Sequence, residues 1–179
     1  DLFDRSPEDK DFLCVRLGSG DVESKREIDY KKQEKLEVED ELQQIPEQIY
    51  NEFKNVHNAP IVCDFKEISA MGVVGVPEYR FEFLKNIVID IAARQYFSDV
   101  KMVFVTETEH KSQIQWLRLL PHVYNNDIKV RNIVCNDESK NLIFEYLYKE
   151  LTIRDQNKTY EDNIVIFFYD EYGFKSHPV

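Results

Sequence analysis

The sequence predicts an α/β fold: a three-layer sandwich around a mostly parallel sheet, with a small β element at the N-terminal end. Short runs rich in Val, Ile and Phe recur at 60–65, 72–76, 100–105, 129–135 and 163–169. From residue 72 onward each run but the last leads into a stretch with helical character. Such alternation implies βαβ units and a sheet covered on both faces. Right-handed crossovers then make the sandwich the natural arrangement.

Taken in order, Phe-Leu-Cys-Val-Arg-Leu at 12–17 reads as a strand ending in the turn Gly18-Ser19-Gly20-Asp21, with a polar strand following at 27–31. No apolar helix follows this G-x-G, so a hairpin-type turn fits better than a nucleotide loop. Residues 31–41, dense in Lys and Glu, read as a solvated connection and helix start. A helix over about 39–55 is expected to bury Leu42, Ile45, Ile49 and Phe53, with Pro46 kinking it. Strand 60–65 comes next. Strand 72–76 leads to a helix over 78–96 whose Leu84, Ile87, Val88 and Ile91 form an i, i+3, i+4, i+7 stripe. Strand 100–105 leads to a short helix at about 111–119, strand 129–135 to a helix at about 138–152, and strand 163–169 closes the pattern. Two segments result: 1–35, a β segment and linker, and 36–179, the α/β domain.

Composition narrows the function classes. At 179 residues, with 42% hydrophobic and 13% aromatic content, the chain can bury a real core. A formal net charge of −11 argues against a nucleic-acid surface, which needs neutralising Lys and Arg. Cys14, Cys63 and Cys135 are odd in number, far apart and set in apolar runs, so buried free thiols in a reducing compartment are expected. No C-x-x-C pair or His/Cys spacing points to zinc, and no apolar run approaches the about 18 residues of a membrane span. The sequon Asn157-Lys158-Thr159 carries no weight in a reducing compartment. The chain opens at Asp1 and stops at Val179 just past an apolar strand, and reads as a fragment of something longer.

Residues 72–95 have the layout of a phosphate-binding strand–loop–helix without its phosphate chemistry. A nucleotide loop there reads G-x-x-x-x-G-K-[ST]. Counting from Gly75 puts Arg80, Phe81 and Glu82 where Gly, Lys and Ser/Thr should stand; counting from Gly72 gives Pro77, Glu78 and Tyr79. The second Gly lets backbone N–H groups face the phosphates, the Lys reaches the terminal phosphate, and the hydroxyl holds Mg²⁺. A phenyl ring and a carboxylate do neither. Glu78 and Glu82 also place negative charge in the helix's first turn, where phosphate would sit. Arg80 is the one cation near the turn.

Strand 163–169 ends in Asp170-Glu171, the arrangement that sets metal-binding and water-activating carboxylates beside a phosphate loop. Many buried strands also end in acids simply because the chain re-enters water. The histidines His57, His110, His122 and His177 lie in separate segments, and Ser6, Ser19 and Ser112 sit in no nucleophile-elbow pattern. Asp90 reads as a cap or ion-pair member.

Three blocks carry a family resemblance. The opening Leu2-Phe3-Asp4-Arg5-Ser6-Pro7-Glu8-Asp9-Lys10-Asp11-Phe12-Leu13 with Val15-Arg16, Gly18 and Gly20, the block Gly72-Val73-Val74-Gly75 with its helix, and Gln115-Trp116-Leu117-Arg118-Leu119-Leu120-Pro121-His122-Val123 together resemble the membrane-anchored FtsK/SpoIIIE-type ATPases of type VII secretion systems, the EssC/EccC family. The likeness covers nearly the whole chain in order. It implies a juxtamembrane, ATPase-like domain that follows the membrane helices on the cytoplasmic side and precedes the ATPase modules. Segment 1–35 would then link to the membrane anchor, and 36–179 would be a degenerate P-loop ATPase-like domain.

The resemblance further implies a chain that is itself soluble and without catalysis or cofactor, with ATP and Mg²⁺ used in other modules of the parent. Implied partners are neighbouring ATPase modules, other secretion-system membrane subunits, further copies in a homo-oligomer and, through the parent, secreted WXG-type proteins. The departures at Gly75, Pro77, Glu78, Arg80, Phe81 and Glu82 leave no phosphate-binding residue to carry over, and Asp170 and Glu171 carry over as positional remnants. The alternative is a divergent but active nucleotidase in which Arg80 replaces the Lys while Asp170 and Glu171 hold Mg²⁺ and position water. A DNA-translocase segment is disfavoured by the charge of −11.

Overall fold

The computed structural model describes residues 2–26, 28–31, 42, 44–159, 162–174 and 177–179. It is α/β. The chain groups into two compact units, one made of residues 1–13 with 69–179 and the other of residues 14–68.

The smaller unit is a two-stranded antiparallel ribbon with one helix. Strand β1 (Cys14–Glu23) pairs with β2 (Asn55–Asp64), and α1 (Ile45–Phe53) lies in the connection. The turn expected at Gly18–Asp21 is instead the middle of β1. Register shifts between Arg16 and Gly18 and between Gly20 and Val22 mark bulges there, and a bulge is where a strand tolerates Gly. A Cβ on Gly20 would meet Ile61 Cδ1 at 2.9 Å, so the missing side chain lets Ile61 cross the ribbon. Residues 28–31 form no strand, and residue 27 lies outside the described residues, as does the charged stretch 32–41. Pro46 sits in the first turn of α1, where its missing N–H costs nothing, so no kink arises. No α1 residue is buried: Ile45, Ile49 and Phe53, expected with Leu42 to face a core, are exposed, as is Leu42 ahead of the helix.

The larger unit holds a three-stranded parallel sheet in the order β6-β3-β7. Its centre is β3 (Val100–Val105), whose Val-Lys-Met-Val-Phe-Val run is apolar at almost every position, as suits a strand covered on both faces. Helix α2 (Pro77–Arg94) precedes it, with Ile87, Val88 and Ile91 of the expected stripe buried. A 3-10 segment, Thr108–Leu119, and a further short turn, Pro121–Val123, replace the expected short α-helix. The single strand expected at 129–135 divides: β5 (Val130–Arg131) pairs antiparallel with β4 (Tyr124–Asn125), while β6 (Ile133–Val134) joins β3 in parallel. Buried Asn132 is the break, donating its N–H to Val123 O and accepting from Phe104 N.

Helix α3 (Asp137–Asn157) then leads to β7 (Asn163–Phe168), which pairs with β3 along its whole length. Ile143, Phe144 and Leu147 of α3 cover Val103, Val105 and Val134, each such burial contributing about 1.5–3 kcal/mol. Met102, Phe104 and Phe167 fill in elsewhere, the last two rings stacked at 5.0 Å.

Residues 72–76 are not a strand. The β-branched run there has no partner strand among the described residues: Val74 is 99% exposed and Val76 is exposed as well. Strand propensity without a partner strand does not make a strand. Residues 2–13 run along the end of α2, with Phe3 and Arg5 donating backbone N–H bonds to Ala93 and Arg94 carbonyls. Asp11 ties Arg5 (2.7 Å) and Arg94 (3.0 Å) together. Among the described residues no helix is long and apolar enough to cross a membrane.

Candidate functional site

In open α/β sheets ligands bind outside the carboxyl ends of the strands, beside a switch in strand order. Here β3 has β6 on one side and β7 on the other, so the edge formed by Thr106, Cys135 and Tyr169-Asp170 is that place. Asp170 organises it. Its Oδ2 accepts from Glu107 N (2.6 Å) and Thr106 Oγ1 (3.1 Å), and its Oδ1 accepts from Tyr172 N (2.9 Å). The carboxylate thereby laces the end of β7 to the end of β3 and starts the turn at Tyr172–Phe174. Glu171 beside it is exposed.

A second cluster sits on the β6 side. The N-terminus of α3 is closed by a capping box, with Asn136 accepting from Ser139 N (2.8 Å) and Ser139 Oγ from Asn136 N (3.1 Å). Asp137 and Glu138 add negative charge to the same turn. Tyr172 OH donates to Asp137 Oδ1 (2.7 Å), and buried Lys140 reaches the same oxygen (3.1 Å) with its ammonium 4.4 Å from the Tyr172 ring centre. The Tyr172 hydrogen bond, then Lys140, holds the Asp137 carboxyl below its usual range. Burial, then Asp137, pushes the Tyr172 hydroxyl up to about 12. Sequence spacing gave no hint of this trio, because Tyr172 lies 35 residues from Asp137.

The loop positions singled out in the sequence reach Tyr169, the residue before Asp170, through Phe81. Phe81, in the Lys slot, stacks on Tyr169 at 5.3 Å and packs 5.7 Å from His110. Burial raises the Tyr169 hydroxyl well above its ordinary range. Glu82, in the hydroxyl slot, pairs with Lys85 at 3.4 Å. Gly75, Pro77 and Glu78 are exposed, and α2 begins without a side-chain cap at Val76. Arg80 is half-buried, and its Nε is buried without a hydrogen-bond partner among the described residues.

Mg²⁺ with a triphosphate asks for an ammonium, a hydroxyl and a carboxylate with open lone pairs. The loop positions supply neither the ammonium nor the hydroxyl: Phe81 is in an aromatic stack and Glu82 is paired with Lys85, while Asp170 accepts three hydrogen bonds from the protein. Among the described residues no three His, Cys, Asp or Glu side chains converge as a metal site. Of the other expected groups, Asp90 is an ion-pair member, 3.7 Å from Arg94. His122 is fully buried against Gln95 O (2.9 Å). Cys135 is buried, whereas Cys14 and Cys63 are half-buried; none of the three is in a disulfide.

Fold and edge together define an α/β protein with a parallel sheet whose carboxyl edge is closed by its own polar side chains. No protein-family model matches the chain. Its sequence is homologous to one region of type VII secretion system proteins. It is 24% identical over 168 residues to the type VII secretion system protein EssC of Staphylococcus aureus (strain MSSA476), covering 91% of this chain and 11% of that protein. Against EssC of strain NCTC 8325 / PS 47 the identity is 24% over 155 residues, 87% of this chain and 10% of that protein. Against the ESX secretion system protein YukB of Bacillus subtilis (strain 168) it is 24% over 155 residues, 86% and 10%. The chain thus spans about a tenth of the length of the curated relatives it matches. The family likeness read from the sequence blocks holds along nearly the whole chain.

Proposed function

We propose that this chain is a nucleotide-silent α/β domain of a type VII secretion protein, coupling a membrane anchor to ATP-driven motor modules through protein–protein contacts. The observation that carries the silent half is Phe81: the position that would grip a terminal phosphate is an aromatic ring stacked on Tyr169, next to Asp170. The coupling half is supported by apolar side chains left in the open, Leu42, Ile45, Ile49 and Phe53 on and beside α1 and Val74 and Val76 before α2. Contiguous exposed apolar surface marks contact sites, and Ile45, Ile49 and Phe53 fall at helical spacing on α1. In this reading the degenerate P-loop ancestry survives as the helix after Gly75 and the acids after β7, the domain lies beside the membrane on its cytoplasmic side, and ATP and Mg²⁺ act in other modules of the parent. Its partners are those modules, other membrane subunits of the system and further copies of the parent.

The test is in a full-length parent. Charged residues at Val74 and Val76, both exposed, are expected to reduce secretion while the isolated chain melts as before; undiminished secretion would count against this loop as a contact. One observation favours a second reading, an active nucleotidase: the Arg80 Nε has no hydrogen-bond partner among the described residues, as a phosphate-seeking guanidinium would. If so, Mg-ATP binds, and Arg80→Gln weakens that binding.

A further inference from the structure

A cavity of about 210 Å³ opens between the 3-10 segment Thr108–Leu119 and strands β5 and β6. Lys111, Arg118 and Arg131, all exposed, form its rim, and Ile114, Ile133 and Cys135 its floor. No carboxylate among the described residues lines it, and none pairs with any of the three cations. That is unexpected in a chain of net charge −11, where a carboxylate is usually within reach. Three cations around one cavity repel each other unless an anion joins them.

Arg131 is also held in place before any partner arrives. Its Nε donates to Arg118 O at 2.7 Å and its guanidinium lies 5.8 Å from the Tyr124 ring centre, with no other hydrogen bond among the described residues. The cavity is smaller than the about 300–1,000 Å³ of ordinary small-molecule sites, so it suits one side chain rather than a nucleotide. Phosphate is also best gripped by free backbone N–H groups at a helix start, and the α3 start that follows Cys135 is closed by its own capping box. An apolar floor under a basic rim matches a segment with an aliphatic residue between carboxylates. Leu119, 84% exposed beside Arg118, extends the apolar contact.

We propose that this cavity receives an acidic segment of a partner protein, one aliphatic side chain resting on Ile114 and Ile133 while flanking carboxylates meet Lys111, Arg118 and Arg131. The site is independent of the phosphate-loop reading, since it uses neither residues 72–95 nor Asp170. It is tested by fluorescence anisotropy of a labelled short peptide alternating glutamate and leucine, titrated with the full chain at low salt. The peptide is expected to bind. Binding should weaken about tenfold or more in a Lys111→Gln, Arg118→Gln double variant, two exposed changes that leave the circular dichroism spectrum intact. It should also fail when glutamine replaces glutamate in the peptide. Equal binding by the double variant or by the glutamine peptide overturns the proposal, as does no binding of the acidic peptide. Inorganic phosphate bound in its place, and lost in the same variant, would assign the cavity to a small anion instead.

Discussion

Asp170 shows how one side chain is read differently in sequence and in space. In the sequence it is an acid after an apolar strand; in the fold it accepts two bonds from the end of β3 and one from its own turn. Charge-assisted hydrogen bonds of this kind contribute about 1.5–3 kcal/mol each before the cost of ordering. Asp170→Asn keeps the shape but turns an NH₂ group toward donors, so it should cost about 1–3 kcal/mol in urea unfolding. Unchanged stability with lost hydrolysis would mark a catalytic acid instead. His122 gives a pH signature. Burial lowers its pKa below the ordinary 6.5, so on acidification the unfolded chain takes up the proton first. Stability is therefore level above about pH 6.5 and declines as pH falls below it. The urea midpoint should drop between about pH 7.5 and about pH 5.5, and a folded His122→Gln variant should lose that slope. Asp11, held low first by Arg5, and Asp137 act only further down, as pH falls below their ordinary 3.8.

At the scale of elements, the fold was legible wherever a run had a partner. β3, β7, α2 and α3 follow from apolar periodicity, because both faces of β3 and one face of α3 are buried and burial is what the pattern records. The run at 72–76 has the same residue types and no strand beside it among the described residues, and α1 has the periodicity of a buried helix with its apolar side exposed. Patterning states what a segment is able to bury, not whether a partner is present. Gly18 and Gly20 read as a turn because bulge and turn share glycine. The candidate site was half legible: Asp170 and Phe81 could be named, but their link through Tyr169, and the Tyr172–Asp137–Lys140 trio, depend on distant segments. Close packing at the β7 turn is testable. A Cβ on Gly173 would lie 2.6 Å from Val105 Cγ1 and 2.7 Å from Phe168 Cε1. Gly173→Ala should therefore cost about 1–3 kcal/mol. Gly20→Ala meets only the far end of partly exposed Ile61 and should cost far less; equal costs would show that the turn yields.

Across the whole molecule, homology to EssC and YukB covers nearly all of this chain and about a tenth of theirs. Sites rather than folds decide activity, and here Phe81 stands where a phosphate loop would carry a lysine, while Asp170 accepts from backbone and hydroxyl donors. The net charge of −11 fits contact with proteins better than with nucleic acid. Under the proposed coupling role, movement would pass through surfaces, and the exposed apolar residues of α1 and of the loop before α2 are the candidates. The most direct measurement is calorimetric titration of the folded 179-residue chain with Mg-ATP, with ADP alongside. A nucleotide-silent domain gives no binding heat with either. Binding tighter than roughly 100 μM, about 5.5 kcal/mol, and weakened by Arg80→Gln would contradict it and make the chain a working nucleotide site.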